Sequence, residues 1–156
     1  MRNMYLIDTD THYLFQKNDL IVINNWTSTT ASSICTCDTI VSEVLTRCTD
    51  TIKNLVSNST LNSYHGTIGD AYYAMHFWIA RMYSMKCYEY SGDAINEYQK
   101  LVLIKCKAGH NDRRIAATAI ANDLVVVTRN YKDFLPLLPR NKIEDWSRPD
   151  RGESAF

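Results

Sequence analysis

The run Leu124-Val-Val-Val-Thr128 is the feature that most restricts how this chain can fold. An unbroken apolar stretch with no polar alternation needs cover on both faces, as a central strand of a parallel sheet has. A second bounded run, Met4-Tyr5-Leu6-Ile7, ends at Asp8 and reads as another buried strand. Ile34–Cys37 and Lys86–Tyr90 read as further strands, and Ile143 opens a short last one. Between them lie segments with helical spacing: Thr9–Lys17, a helix capped by Asp38 or Thr39 and running to about Ser57, Gly69–Ser84, a Ser91-capped helix through Lys107 that Gly109 ends, and a helix from Asn111 or Asp112 to Ala121. In Gly69–Ser84 the inward residues are Ala71, Ala74, Met75, Trp78, Ile79 and Met82. Asp19–Trp26 is ambiguous, because Leu20-Ile-Val-Ile23 suits a strand or a buried helix. Strands alternating with helices give an α/β fold, a parallel sheet covered on both sides. The three prolines, Pro136, Pro139 and Pro149, fall near the end, so residues 4–134 run as uninterrupted elements.

Charge limits the partners. Lys plus Arg equals Asp plus Glu at 17 each, so no whole-molecule field attracts nucleic acid and any binding must be local. Many cations gather late: Lys105, Lys107, Arg113, Arg114, Arg129, Lys132, Arg140 and Lys142. No apolar run approaches the ~20 residues of a membrane span. The opening Met1–Asp10 meets an acid where a secretion signal needs an apolar core. The expectation is a cytoplasmic protein with its five cysteines reduced. Cys35 and Cys37 share one strand face and read as buried thiols rather than metal ligands. Of the histidines, His76 reads as a core or interface residue and His110 as a loop residue.

In open parallel sheets, sites form at the carboxyl ends of the strands. Asp8 ends the first strand, and Thr128, Arg129 and Asn130 follow the valine run. Glu43 lies early in the helix after the second strand, and Asp112 opens the helix that precedes Leu124–Thr128. Asp8, Glu43, Asp112 and Asn130 therefore gather at one sheet edge, with Asp133 one turn beyond. Singly each has a structural reading, such as a cap or a solvated helix residue. Crowded carboxylates repel and raise one another's pKa unless a cation joins them. Hard divalent ions take such oxygen ligands and activate water for phosphodiester hydrolysis.

These motifs resemble the PIN-domain family. Met4-Tyr-Leu-Ile-Asp-Thr-Asp-Thr11 is similar to its opening strand, and Thr39-Ile-Val-Ser-Glu-Val-Leu45 to its glutamate motif. Asn111-Asp-Arg-Arg-Ile-Ala-Ala-Thr-Ala-Ile-Ala121 with Leu124-Val-Val-Val-Thr-Arg-Asn-Tyr-Lys-Asp-Phe134 is similar to the most specific stretch, and Ile143-Glu-Asp-Trp146 to the tail of many VapC-type members. The likeness spans nearly the whole chain and is weak only in residues 18–33 and 58–90. It implies a three-layer α/β/α sandwich around a central parallel sheet, one PIN-like domain over residues 1–156. It further implies a divalent-metal-dependent endoribonuclease, the toxin of a type II toxin–antitoxin pair, that dimerises and is held inactive by an antitoxin. Asp8, Glu43, Asp112 and Asp133 would hold Mg²⁺ or Mn²⁺, with Asn130 sharing the fourth position and Thr128 orienting ligands. Arg113, Arg114, Arg129 and Lys132 are the candidate RNA contacts; Arg113-Arg114 stands where apolar residues are commoner, and at least one of the pair reads as exposed, either meeting an RNA phosphate or simply solvated. Two departures stand out: Asp10 where Asn is usual, and Ile40 where Thr is common.

Two other readings compete. A non-catalytic PIN module would keep the fold for binding. A haloacid-dehalogenase-like phosphatase would use Asp8 as nucleophile and Asp10 as acid/base, but Lys132 stands too close to Glu144-Asp145 for that family's later motifs.

Overall fold

The computed structural model describes residues 3–58 and 64–152. Its strands β1 (Tyr5–Ile7), β2 (Ile34–Cys37), β3 (Lys86–Tyr88), β4 (Val125–Val127) and β5 (Ile143–Glu144) form one sheet in the order β3-β2-β1-β4-β5. Every pairing is parallel. β1 is central, with Leu6 beside Cys35 on one side and Val126 on the other. The helices are α1 (Thr9–Gln16), α2 (Leu20–Thr27), α3 (Asp38–Asn58), α4 (Tyr64–Tyr83), α5 (Gly92–Val102), α6 (His110–Ala121) and α7 (Tyr131–Phe134).

The unbroken apolar runs follow from this layering. Leu6, Cys35, Cys37 and Val126 pack on one face with Leu101, Ile115, Ala116 and Phe134 from α5, α6 and α7. Ile7, Ile34 and Val127 point the other way, against Trp146. On the same side Val44 and Cys48 of α3 pack with Trp78 and Met82 of α4. Successive strand residues thus bury into opposite layers, each fully buried aliphatic contributing roughly 1.5–3 kcal/mol. The result is the PIN-like α/β/α sandwich expected from the sequence.

Several details differ from expectation, each for a local reason. Leu20-Ile-Val-Ile23 is helical because the Asp19 carboxylate accepts from the Ile21 and Val22 amides at 3.0 Å, capping α2. Only Val22 of that helix is buried. Helix α5 stops at Val102 rather than Lys107, since the following carbonyls turn to a guanidinium described below. On α4, Trp78 and Met82 face inward as expected, but Ile79 is 45% exposed and His76 is exposed as well. The Cys35, Cys37 and Cys48 thiols are free and buried. Burial pushes Cys35 and Cys37 up to about 12, which leaves them inert.

Candidate active site

Asp8 sits where β1 gives way to α1. Its extended backbone (φ −67°, ψ 155°) makes it the N-cap, and one carboxylate oxygen accepts from the Thr9 amide at 2.7 Å. The other accepts from the Thr128 hydroxyl at 2.8 Å, and the Asp8 amide donates to the Val127 carbonyl at 2.9 Å. The residue is only 7% exposed. Burial pushes its pKa from 3.8 up to about 7; the Thr128 and Thr9 hydrogen bonds oppose this, and Glu43 and Asp10 add to it.

The other acids arrive from separate elements. Glu43, early in α3, accepts from the Thr9 hydroxyl at 2.6 Å and from the Asn111 side-chain amide at 2.8 Å. Asp112, in the first turn of α6, accepts from the Gly109 amide at 2.9 Å. Burial raises its pKa, and Asp133, Glu43 and Asp10 raise it further. A Cβ at position 109 would lie 3.3 Å from that carboxylate, so glycine suits the approach. After β4, the Thr128 hydroxyl accepts from the Asn130 amide at 3.0 Å, and the Asn130 side chain donates to Asp133 at 2.7 Å. Asn130 and Asp133 therefore act as a pair.

The acids converge electrostatically at one edge, yet each is turned onto a protein donor. Among the described residues no three His, Cys, Asp or Glu side chains form a ready-made metal group. The donor set still fits a hard divalent cation: it offers oxygens only, and burial, with the nearby Glu43 and Asp10 carboxylates, disfavours the ionised forms of both Asp8 and Asp112. Holding a cation would require these carboxylates to exchange their present hydrogen bonds for it.

One expected RNA contact is corrected. Arg113 is buried, and its guanidinium donates to the carbonyls of Leu101, Ala108 (3.2 Å), Ile104 (3.1 Å) and Cys106 (3.3 Å). A fork of five donors matches a loop of inward carbonyls, so Arg113 organises the α5–α6 turn and is not available to phosphate. Arg114 is half-buried, so neither arginine of the pair is exposed as expected; it donates to the Asn111 side-chain oxygen at 2.9 Å and lies over the Tyr98 ring. Arg129 and Lys132 are exposed. The sequence reading missed Thr9 and Asn111, which together hold Glu43; nothing in helical spacing says which neighbour a polar side chain will reach across the sheet edge.

No protein-family model matches this sequence, and no curated protein matches it. Solved structures do share its fold. The chain is similar to one in a toxin–antitoxin complex from Klebsiella pneumoniae, with TM-score 0.65 and 16% identity over 91% of this chain and 97% of that one. It is similar to one in DNA-bound VapBC from Salmonella typhimurium, with TM-score 0.67 and 20% identity over 93% and 99%. A chain of FitAcB from Neisseria gonorrhoeae gives TM-score 0.64 and 16% identity over 86% and 93%.

Proposed function

We propose that this protein is a divalent-metal-dependent endoribonuclease and the toxin of a type II toxin–antitoxin pair. What supports this reading most is that acids from four separate elements influence one another near the carboxyl edge of the sheet: Glu43 raises the pKa of Asp8, and Asp133 and Glu43 raise that of Asp112. The shared fold with chains of toxin–antitoxin complexes supports the partner class. Mg²⁺ or Mn²⁺, held by these four acids, would supply Lewis acidity toward water and the phosphodiester.

The chain's own residues prepare the site. Thr128 and Thr9 fix Asp8, Thr9 and Asn111 fix Glu43, and the Gly109 amide fixes Asp112. The N-termini of α1, α3 and α6 all point at this edge, where their partial positive charge favours anions. Arg129 and Lys132, both exposed, would meet an RNA backbone, and Arg114 would do so only by giving up its bond to Asn111. Exposed Tyr72, Tyr73, Phe77 and Tyr83 on α4 suit a homodimer or antitoxin contact, where aromatics are favoured. No helix among the described residues is long and apolar enough to cross a membrane.

A non-catalytic module is the second reading, favoured by the acids' engagement with protein donors. Incubating the purified protein with single-stranded RNA, with Mg²⁺ or Mn²⁺ and with chelator, separates the two. Cleavage that needs the cation and disappears in Asp112→Asn supports the enzyme. Binding without cleavage under every condition selects the module.

A further inference from the structure

One face of α1 continues from the acid cluster into a second, differently charged feature. Asp10, Tyr13, Leu14 and Lys17 recur at helical spacing and form one wall of a cavity of about 270 Å³. Arg47 of α3 and Arg129, the residue after Thr128, close it. Three cations and one acid thus share a small cavity in a chain whose net charge is zero. Asp10 pairs with Arg47 at 3.8 Å, and Arg47 also lies 5.2 Å over the Tyr13 ring. This holds one cation in place and leaves two: among the described residues Lys17 and Arg129 have no carboxylate partner.

The cavity abuts the acids. Asp10 lies two residues beyond Asp8 and raises the pKa of both Asp8 and Asp112. Arg129 adjoins the threonine whose hydroxyl holds Asp8. We propose that this cavity is a backbone subsite for the RNA strand, in which Lys17, Arg129 and Arg47 receive a phosphodiester neighbouring the one at the acids. The inference rests on the ribonuclease reading and adds the residues that would align its substrate. The cavity falls below the ~300–1,000 Å³ of an enclosing small-molecule pocket, so it suits a phosphate with its sugar edge rather than a whole buried nucleotide. Recognition of this kind is independent of base sequence and is screened by salt. Asp10, which departs from the usual Asn of the resembled family, becomes a positioning residue for Arg47.

The test uses a labelled single-stranded RNA and the full chain in excess chelator, so that binding is read without turnover. Lys17→Ala and Arg129→Ala remove exposed side chains, and thermal melts check that folding is intact. Each should weaken binding severalfold and lower the slope of log K against log salt by about 0.7, one single-strand phosphate contact. Lys53→Ala, an exposed α3 residue paired with Asp50, should leave both unchanged. With Mg²⁺ or Mn²⁺ added, the two cavity variants should raise KM and spare kcat. Wild-type affinity and slope in both variants overturn the subsite, while cation-dependent cleavage in the same samples leaves the ribonuclease reading standing. Cavity-dependent binding with no cleavage supports the subsite and overturns the ribonuclease. No RNA binding by the wild type overturns the subsite.

Discussion

Asp8 concentrates the chemistry and the cost of the site in one side chain. Its pKa of about 7 against the ordinary 3.8 means that the folded protein holds that proton more tightly than the unfolded chain. Without a cation, stability is then lost as pH rises from about 4 through 7 and is fully present below that window. The gap, at about 1.4 kcal/mol per pH unit, sets a ceiling of about 4 kcal/mol. Asp8→Asn removes the ionisation but weakens the charge-assisted bonds from Thr128 and Thr9. Melts in chelator should show the variant more stable than wild type at pH 8, on the order of 1–2 kcal/mol, with the difference vanishing toward pH 4. A variant less stable at pH 8 would show that those hydrogen bonds outweigh desolvation. Arg113 makes the opposite kind of prediction. Arg113→Ala leaves the inward carbonyls of the α5–α6 turn without donors and should cost roughly 3 kcal/mol, read by denaturant unfolding. A change within about 0.5 kcal/mol would mean that water replaces the guanidinium without loss.

At the scale of elements, the clearest strands were those with only one way to be buried. β1 and β4 lie side by side at the centre because an unbroken apolar run has no solvated face to offer. The same principle placed Asp8 and Thr128 at one edge, and that much of the site was legible. What was not legible depends on reach between elements. A β-branched run after Asp19 became a helix through its cap. Arg113 turned inward although a charge is ordinarily solvated, and Thr9 and Asn111 found Glu43 across the edge of the sheet. Helix α4 shows a remaining mismatch between element and monomer: Trp78 is buried, yet Tyr73 and Tyr83 are 75% and 91% exposed. Replacing both with Ser should leave the melting temperature of the isolated chain nearly unchanged, as surface substitutions do. Sedimentation should show weakened self-association, or co-purification a weakened antitoxin contact. A large loss of monomer stability would instead assign these rings to the fold itself.

For the whole molecule, the fold sets carboxylates beside a cationic cavity on a chain with no net charge. Repulsion among the acids opposes the cation-free state, and a divalent ion would relieve it, so cleavage should depend on the cation while RNA binding at the cavity persists without it. Asn130 and Asp133 grade that dependence: if Asp133 supplies the fourth charge, Asp133→Asn raises the cation concentration needed for half-maximal cleavage more than Asn130→Ala does. The most direct measurement is the rate of RNA cleavage against Mg²⁺ and Mn²⁺ concentration for the wild type and for Asp8→Asn. The predicted result is saturable, chelator-sensitive cleavage by the wild type and a loss of at least about 100-fold in the variant, the scale of losing several kcal/mol of metal catalysis. Equal rates in the two proteins, or cleavage undiminished by excess chelator, would contradict it.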